Sequence, residues 1–274
     1  LSDDAAAECE GEAEDAAPPS FGRATLPPWI VASREFHDHP RALHIVGVRR
    51  ENRSLFALLA ALAEPIERAE LFDAYMSAKF RLDEWPAATP GARRSLRNSY
   101  LRFLRGWGVD SNGIEGAVLK GWVESRLGIP PSYHRRPVES GRRSYLEFAS
   151  ERMRGHARTN AIDAQVDLLF EYCQYELARR RLRRVVLYRG THEFEEQRVL
   201  ARRQDAEFVV RLNNLCSFSA ERERAWEFGL RVLRVEVPAQ RILYFAGLLP
   251  KSILRGEDEY LVIGGEHWAT EVRF

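Results

Sequence analysis

Val185-Val186-Leu187-Tyr188-Arg189-Gly190 is a run of β-branched and aromatic residues that ends in an arginine and a glycine, the composition of a buried strand. A helical period runs up to it. Within residues 159–180, Ile162, Val166, Leu169, Phe170, Cys173 and Leu177 recur at three- and four-residue steps, so they share one helix face and Cys173 is a core thiol. The change of period near Arg181 divides the chain. Upstream, residues 55–63 read as a helix capped by Asn52 or Ser54. A second helix starts at Pro65, carries Leu71, Phe72, Tyr75, Met76 and Phe80, and is closed by Pro86 and Pro90. Residues 93–107 place Leu96, Tyr100, Phe103, Leu104 and Trp107 on one stripe, and a further helix runs from near Ser111 to Gly128. The segments 26–31 and 44–48 read as an irregular entry region, and 130–141 as a loop rich in Pro and Arg. Downstream, residues 208–210, 215–219, 233–237, 241–246, 260–263 and 268–274 read as strands, with a short helix over 221–228. Helices first and strands later make the class α+β. The expected organisation is a disordered acidic tail over 1–24, a mainly helical region over 25–180 and a β-rich core over 181–274.

Composition narrows the function. The chain has 274 residues, 45% hydrophobic and 30% charged, with a net charge of +1. That is an ordinary globular balance, and near neutrality removes the bulk electrostatic argument for nucleic acid. The arginines and aromatics of 93–107 are explained by a packed helix with a basic outer face. Asp3, Asp4, Glu8, Glu10, Glu12, Glu14 and Asp15 among alanines mark the tail. Only Lys79, Lys120 and Lys251 are lysines. Cys9, Cys173 and Cys216 form no CxxC pattern, which points to a reducing compartment and no zinc site. No membrane-length apolar run and no secretory signal are read, so a cytoplasmic protein is expected.

The chemistry-bearing residues sit at strand ends. Leu254-Arg255-Gly256-Glu257-Asp258-Glu259-Tyr260-Leu261-Val262-Ile263 is a turn with three acids running into an apolar strand. Side chains alternate in an extended chain, so Glu257 and Glu259 point to one face. Such a pair fits stabilisation of a sugar-derived cation and orientation of a basic acceptor; it also fits a solvated turn. Arg189 can hold a diphosphate through parallel hydrogen bonds that lysine cannot copy, or make an edge salt bridge. Ser217 and Ser219 can brace a carboxylate or bind a ribose, or cap the helix at Glu221. Gly264-Gly265 lacks the strand-Gly-x-Gly-helix setting of a Rossmann loop.

Taken in order, strand-Arg, strand-Ser-x-Ser and strand-mouth Glu-x-Glu resemble the mono-ADP-ribosyltransferases that carry this triad. Leu187-Tyr188-Arg189-Gly190-Thr191, Asn213-Asn214-Leu215-Cys216-Ser217-Phe218-Ser219 and Gly256-Glu257-Asp258-Glu259-Tyr260, behind Trp107, Ser111-Asn112 and Trp122, resemble the dinitrogenase-reductase ADP-ribosyltransferase family. Phe218 departs from the Thr common in related transferases. The resemblance implies a β-rich core of two packed sheets and transfer of ADP-ribose from NAD, as co-substrate, to an arginine of the nitrogenase iron protein, switching nitrogen fixation off. No protein-bound metal is implied. Arg189 with Gly190 would bind the NAD phosphates, and Ser217 and Ser219 would organise the nicotinamide-ribose site. Glu259 would stabilise the cation formed as nicotinamide leaves, and Glu257 would orient and deprotonate the acceptor guanidinium. The resemblance also implies a PII-type nitrogen signal protein as partner. Another protein target, an NAD glycohydrolase and a non-enzymatic NAD-binding module remain the alternatives.

Overall fold

The computed structural model describes residues 23–82, 99–134, 136–139, 141–157, 159, 161–192, 198–203, 207–250 and 259–272. The fold is α+β. The segment 1–22, Pro86, Pro90, Leu96 and Glu257 lie outside the described residues.

Three short helices come first: α1 (Pro28–Val31), α2 (Arg34–Asp38) and α3 (Val48–Glu51). They correct the expectation of an irregular entry. Ser33 accounts for α2, because its Oγ accepts from Phe36 N at 3.1 Å and satisfies a first-turn donor. α4 (Arg53–Ala61) and α5 (Pro65–Phe80) follow. Asn52 precedes α4 without capping it. Its Nδ2 donates back to Val48 O at 2.7 Å, and its Oδ1 accepts from the Tyr75 hydroxyl at 3.1 Å, so it joins α4 to α5. α5 ends at Arg81, which is left-handed with φ 52°. α6 (Tyr100–Val109) is capped by Ser99, and α7 (Ile114–Leu127) stops at Gly128. The 130–141 loop contains a small antiparallel pair, β1 (Ser132–Tyr133) with β2 (Arg136–Pro137). Next comes α8 (Arg143–His156), which the sequence reading did not contain. Of its side, only Phe148 and Gly155 are buried, so its apolar period is too faint to register. α9 (Ile162–Arg179) is its opposite, buried along nearly its whole length. Cys173 is fully buried there and its thiol lies 3.5 Å from Ile242 O.

The larger strands are β3 (Arg184–Thr191), β4 (Arg198–Arg202), β5 (Glu207–Ser219), β6 (Arg231–Pro238), β7 (Ile242–Phe245) and β8 (Glu259–Val272). α10 (Arg222–Glu227) links β5 to β6. Hydrogen bonding joins these strands into one six-stranded sheet of order β4-β5-β3-β6-β8-β7, with β5 also paired to β8. That extra pairing closes a circuit of β5, β3, β6 and β8. β3 touches β5 through one residue pair, Tyr188 with Ser219, so the two strands part on either side of it.

β5 and β8 each run through what the sequence presents as a break. The register slips between Leu212 and Leu215, which makes Asn213-Asn214 a bulge inside one strand. Asn213 exchanges hydrogen bonds with Ser132, 2.7 and 2.9 Å, and Asn214 Nδ2 donates to Lys120 O and Ile129 O at 2.9 and 3.0 Å. The polar pair therefore binds the helical region to the sheet. Opposite it, a Cβ on Gly264 would fall 1.7 Å from Asn213 O. Gly265 has φ 100°, and a Cβ there would meet Ala32 O at 2.7 Å. These glycines allow close approach of the bulge and of α1. Arg241 completes that clamp, donating to Val31 O, Ser33 O and Glu266 O at 2.5, 2.8 and 2.7 Å. One hydrophobic cluster, from Phe36 through Phe72, Trp122 and Phe170 to Val262, spans helices and sheet. Among the described residues no helix is long and apolar enough to cross a membrane.

Candidate active site

Antiparallel register sets the first contact. β5 lies on β8 with Ser219 opposite Glu259, and alternate residues of a strand share a face, so Ser217 sits on the same side one diagonal step away. The Ser217 hydroxyl donates a short hydrogen bond to Glu259 Oε1. Glu259 is the first residue of β8 and is only 4% exposed. Ser219 Oγ accepts from Glu221 N at 3.0 Å, which fixes the turn into α10.

β3 supplies the cation. Arg189 Nη1 donates to Ser217 O at 2.7 Å, while its buried Nε has no hydrogen-bond partner among the described residues. Ser217 thus holds the arginine through its carbonyl and the carboxylate through its hydroxyl. The Arg189 guanidinium lies 6.0 Å from the centre of the Phe218 ring, and Phe218 is packed in the main core. A Cβ on Gly190 would come within 2.0 Å of Ala225 O. Its missing side chain lets the end of α10 close against β3.

Arg189, Gly190, Ser217, Ser219 and Glu259 line one cleft of about 380 Å³. The opposite wall is the end of α6 and the turn after it, Trp107 to Ser111. Trp107 Nε1 donates to Ser217 Oγ at 2.8 Å, and Asp110 Oδ1 accepts from Asn112 N at 2.8 Å. Behind this wall Lys120, 2% exposed, donates to Asn112 Oδ1 at 3.0 Å. Its ammonium lies 5.8 Å from the Trp107 ring centre and 5.6 Å from that of Tyr133. Burial pushes Lys120 down to about 8. Sequence reasoning gave Trp107 no chemical role, because helical spacing explains its ring as core and says nothing of its N–H. Lys120 carried a faint signal as one of three lysines in an arginine-rich chain.

The arrangement has a guanidinium with donor capacity left over beside a carboxylate held in a fixed pose. It suits an anionic ligand that develops positive charge next to Glu259. Among the described residues no three His, Cys, Asp or Glu side chains are grouped as a metal site requires.

A family model, dinitrogenase reductase ADP-ribosyltransferase (DRAT), matches residues 21–271. A protein of Rhodospirillum rubrum, NAD(+)-dinitrogen-reductase ADP-D-ribosyltransferase, is 41% identical over 261 residues, covering 91% of this chain and 95% of that protein. No solved structure matches the chain. By both the family model and this relative, the chain belongs to the dinitrogenase reductase ADP-ribosyltransferase family.

Proposed function

We propose that this chain transfers ADP-ribose from NAD to an arginine side chain of dinitrogenase reductase, and that the cleft between β3, β5, β8 and the end of α6 carries the reaction. Family membership supports the activity. The observation that carries the site is Ser217, which joins Arg189 through its carbonyl and Glu259 through its hydroxyl.

In this reading residues 181–274 form the NAD-binding catalytic core, built on the single six-stranded sheet in which β5, β3, β6 and β8 close a circuit. Arg189 binds the NAD diphosphate with its spare N–H groups. Ser219, opposite Glu259, faces the nicotinamide ribose together with Ser217. As the bond from ribose C1′ to nicotinamide breaks, the leaving ring departs neutral and positive charge builds on the ribose. The Glu259 carboxylate, itself buried at the mouth of β8, faces that charge. No strong general acid is needed, since the leaving group is already cationic. Glu257 receives the acceptor guanidinium and takes its proton as the new C1′–N bond forms. Inactivation of the target follows from the bulk and charge of the added group, which is the switch on nitrogen fixation. A PII-type signal protein is proposed as regulator on the family resemblance alone.

The test is incubation with labelled NAD and dinitrogenase reductase, with free nicotinamide and protein-bound label counted and the modified residue mapped. Label on an arginine, one per nicotinamide released, is expected. Nicotinamide release without protein label makes the chain an NAD glycohydrolase; neither product makes it a binding module.

A further inference from the structure

We propose that Trp107 is a positioning residue for this reaction: its indole N–H fixes the direction of the Ser217 hydroxyl and thereby the orientation of Glu259. The proposal rests on the reading above that Glu259 faces the developing charge.

The direction of the chain of hydrogen bonds follows from what each group can do. An indole nitrogen only donates, an ionised carboxylate only accepts, and a hydroxyl has one proton to give. With Trp107 Nε1 2.8 Å from Ser217 Oγ, the serine oxygen is the acceptor there. Its single proton is left for Glu259 Oε1, the contact the structure records. Remove the indole donor and the hydroxyl is free to rotate, with no group to reserve its proton for the carboxylate. Preorganisation of the charge partner is then lost, although Arg189, Ser217, Ser219 and Glu259 are all still present.

The donor comes from outside the sheet that carries the other site residues. Trp107 belongs to α6, is 3% exposed, and has Lys120 against its ring. Lys120 is in turn anchored to Asn112, whose Oδ1 also accepts from His134 N at 3.2 Å. The α6 end is thus braced from behind by α7 and the β1–β2 hairpin, while its indole edge points at the catalytic strand. Packing alone would be served by a phenylalanine ring at this position; the N–H would not.

Nicotinamide release and labelling of dinitrogenase reductase are measured for the wild type, Trp107→Phe, Ser217→Ala and the double variant. Trp107→Phe is expected to lower kcat about tenfold in both readouts, with KM for NAD within about twofold. Ser217→Ala is expected to lose at least as much, and the double variant no more than Ser217→Ala alone, because the two act as a unit. A kcat within about twofold of wild type for Trp107→Phe, or losses that multiply in the double variant, overturns the proposal. If Trp107→Phe does not fold, benzothienylalanine at 107, of indole shape but without the N–H, enters the same cycle with the same outcomes. Glu259→Gln is run alongside. Activity retained there overturns the role of Glu259 itself; activity lost there with a multiplying cycle overturns the Trp107 relay alone.

Discussion

The buried charges of α9 and those of the cleft are satisfied to different degrees. On α9, Asp167 accepts from Trp122 Nε1 and Arg126 Nε, both at 2.7 Å, and from Arg126 Nη2 at 3.0 Å. Glu171 takes Ile45 N at 2.6 Å, Arg49 Nε at 2.5 Å and the His44 ring at 3.0 Å. Burial alone would raise its pKa, but these hydrogen bonds outweigh burial and hold it below the ordinary range. Glu176 is gripped by two nitrogens of Arg68, at 2.6 and 2.9 Å. In the cleft, Arg189 keeps a buried Nε with no partner among the described residues. The three α9 carboxylates, which bind the chain to itself, are each met by several donors of the chain, whereas Arg189 is left with donor capacity beside the cleft. The first set is expected to report in stability and Arg189 in kinetics.

The most damaging way to break the first set is Arg68→Met. It leaves the Glu176 carboxylate buried without its partner, so unfolding in urea is expected to need about 3–5 kcal/mol less, with kcat of the folded fraction within about twofold. A loss of activity at unchanged stability would put Arg68 in the wrong set. His37 sharpens the comparison through pH. Burial first, then Arg241 and Arg184, hold it down to about 3, from 6.5. The unfolded chain therefore binds the proton in the window between, and His37 adds about 1.4 kcal/mol per pH unit to the loss of stability as pH drops from about 6.5 towards 3, beside the loss from His267, which burial also holds well below the usual histidine range. His37→Gln is expected to reduce that slope in urea titrations across the window; an unchanged slope would contradict the assignment. The smallest effect on the fold is expected in the cleft. Arg189→Lys keeps the charge but loses the planar fork, so KM for NAD is expected to rise about tenfold while the urea midpoint stays near wild type. Equal affinity for NAD in a calorimetric titration would make Arg189 structural.

Several elements were open to reading from residues alone. The change of period at Arg181 falls between α9 and β3, and Pro65 and Gly128 mark the start of α5 and the end of α7. Arg189, Ser217 and Glu259, picked from three separate strand ends, line one cleft. What stayed illegible has physical reasons. α8 buries too few side chains to show a helical period. Asn213-Asn214 and Gly264-Gly265 carry turn chemistry, yet they oppose each other as bulge and close approach within continuous strands. Asn52 looks like a cap, but its amide bonds backwards to Val48. Trp107 satisfies a core pattern completely, so its polar edge on Ser217 leaves no trace in spacing.

The central claim, that Glu259 carries the developing ribosyl charge in this cleft while Glu257 serves the acceptor, is tested by counting free nicotinamide and protein-bound ADP-ribose in parallel for Glu259→Gln and Glu257→Gln. Glu259→Gln is expected to cut both products by at least about a hundredfold. Glu257→Gln is expected to lose protein label while slow release of nicotinamide to water persists. Normal arginine labelling by either variant, or loss of both products by Glu257→Gln as complete as by Glu259→Gln, would contradict the account.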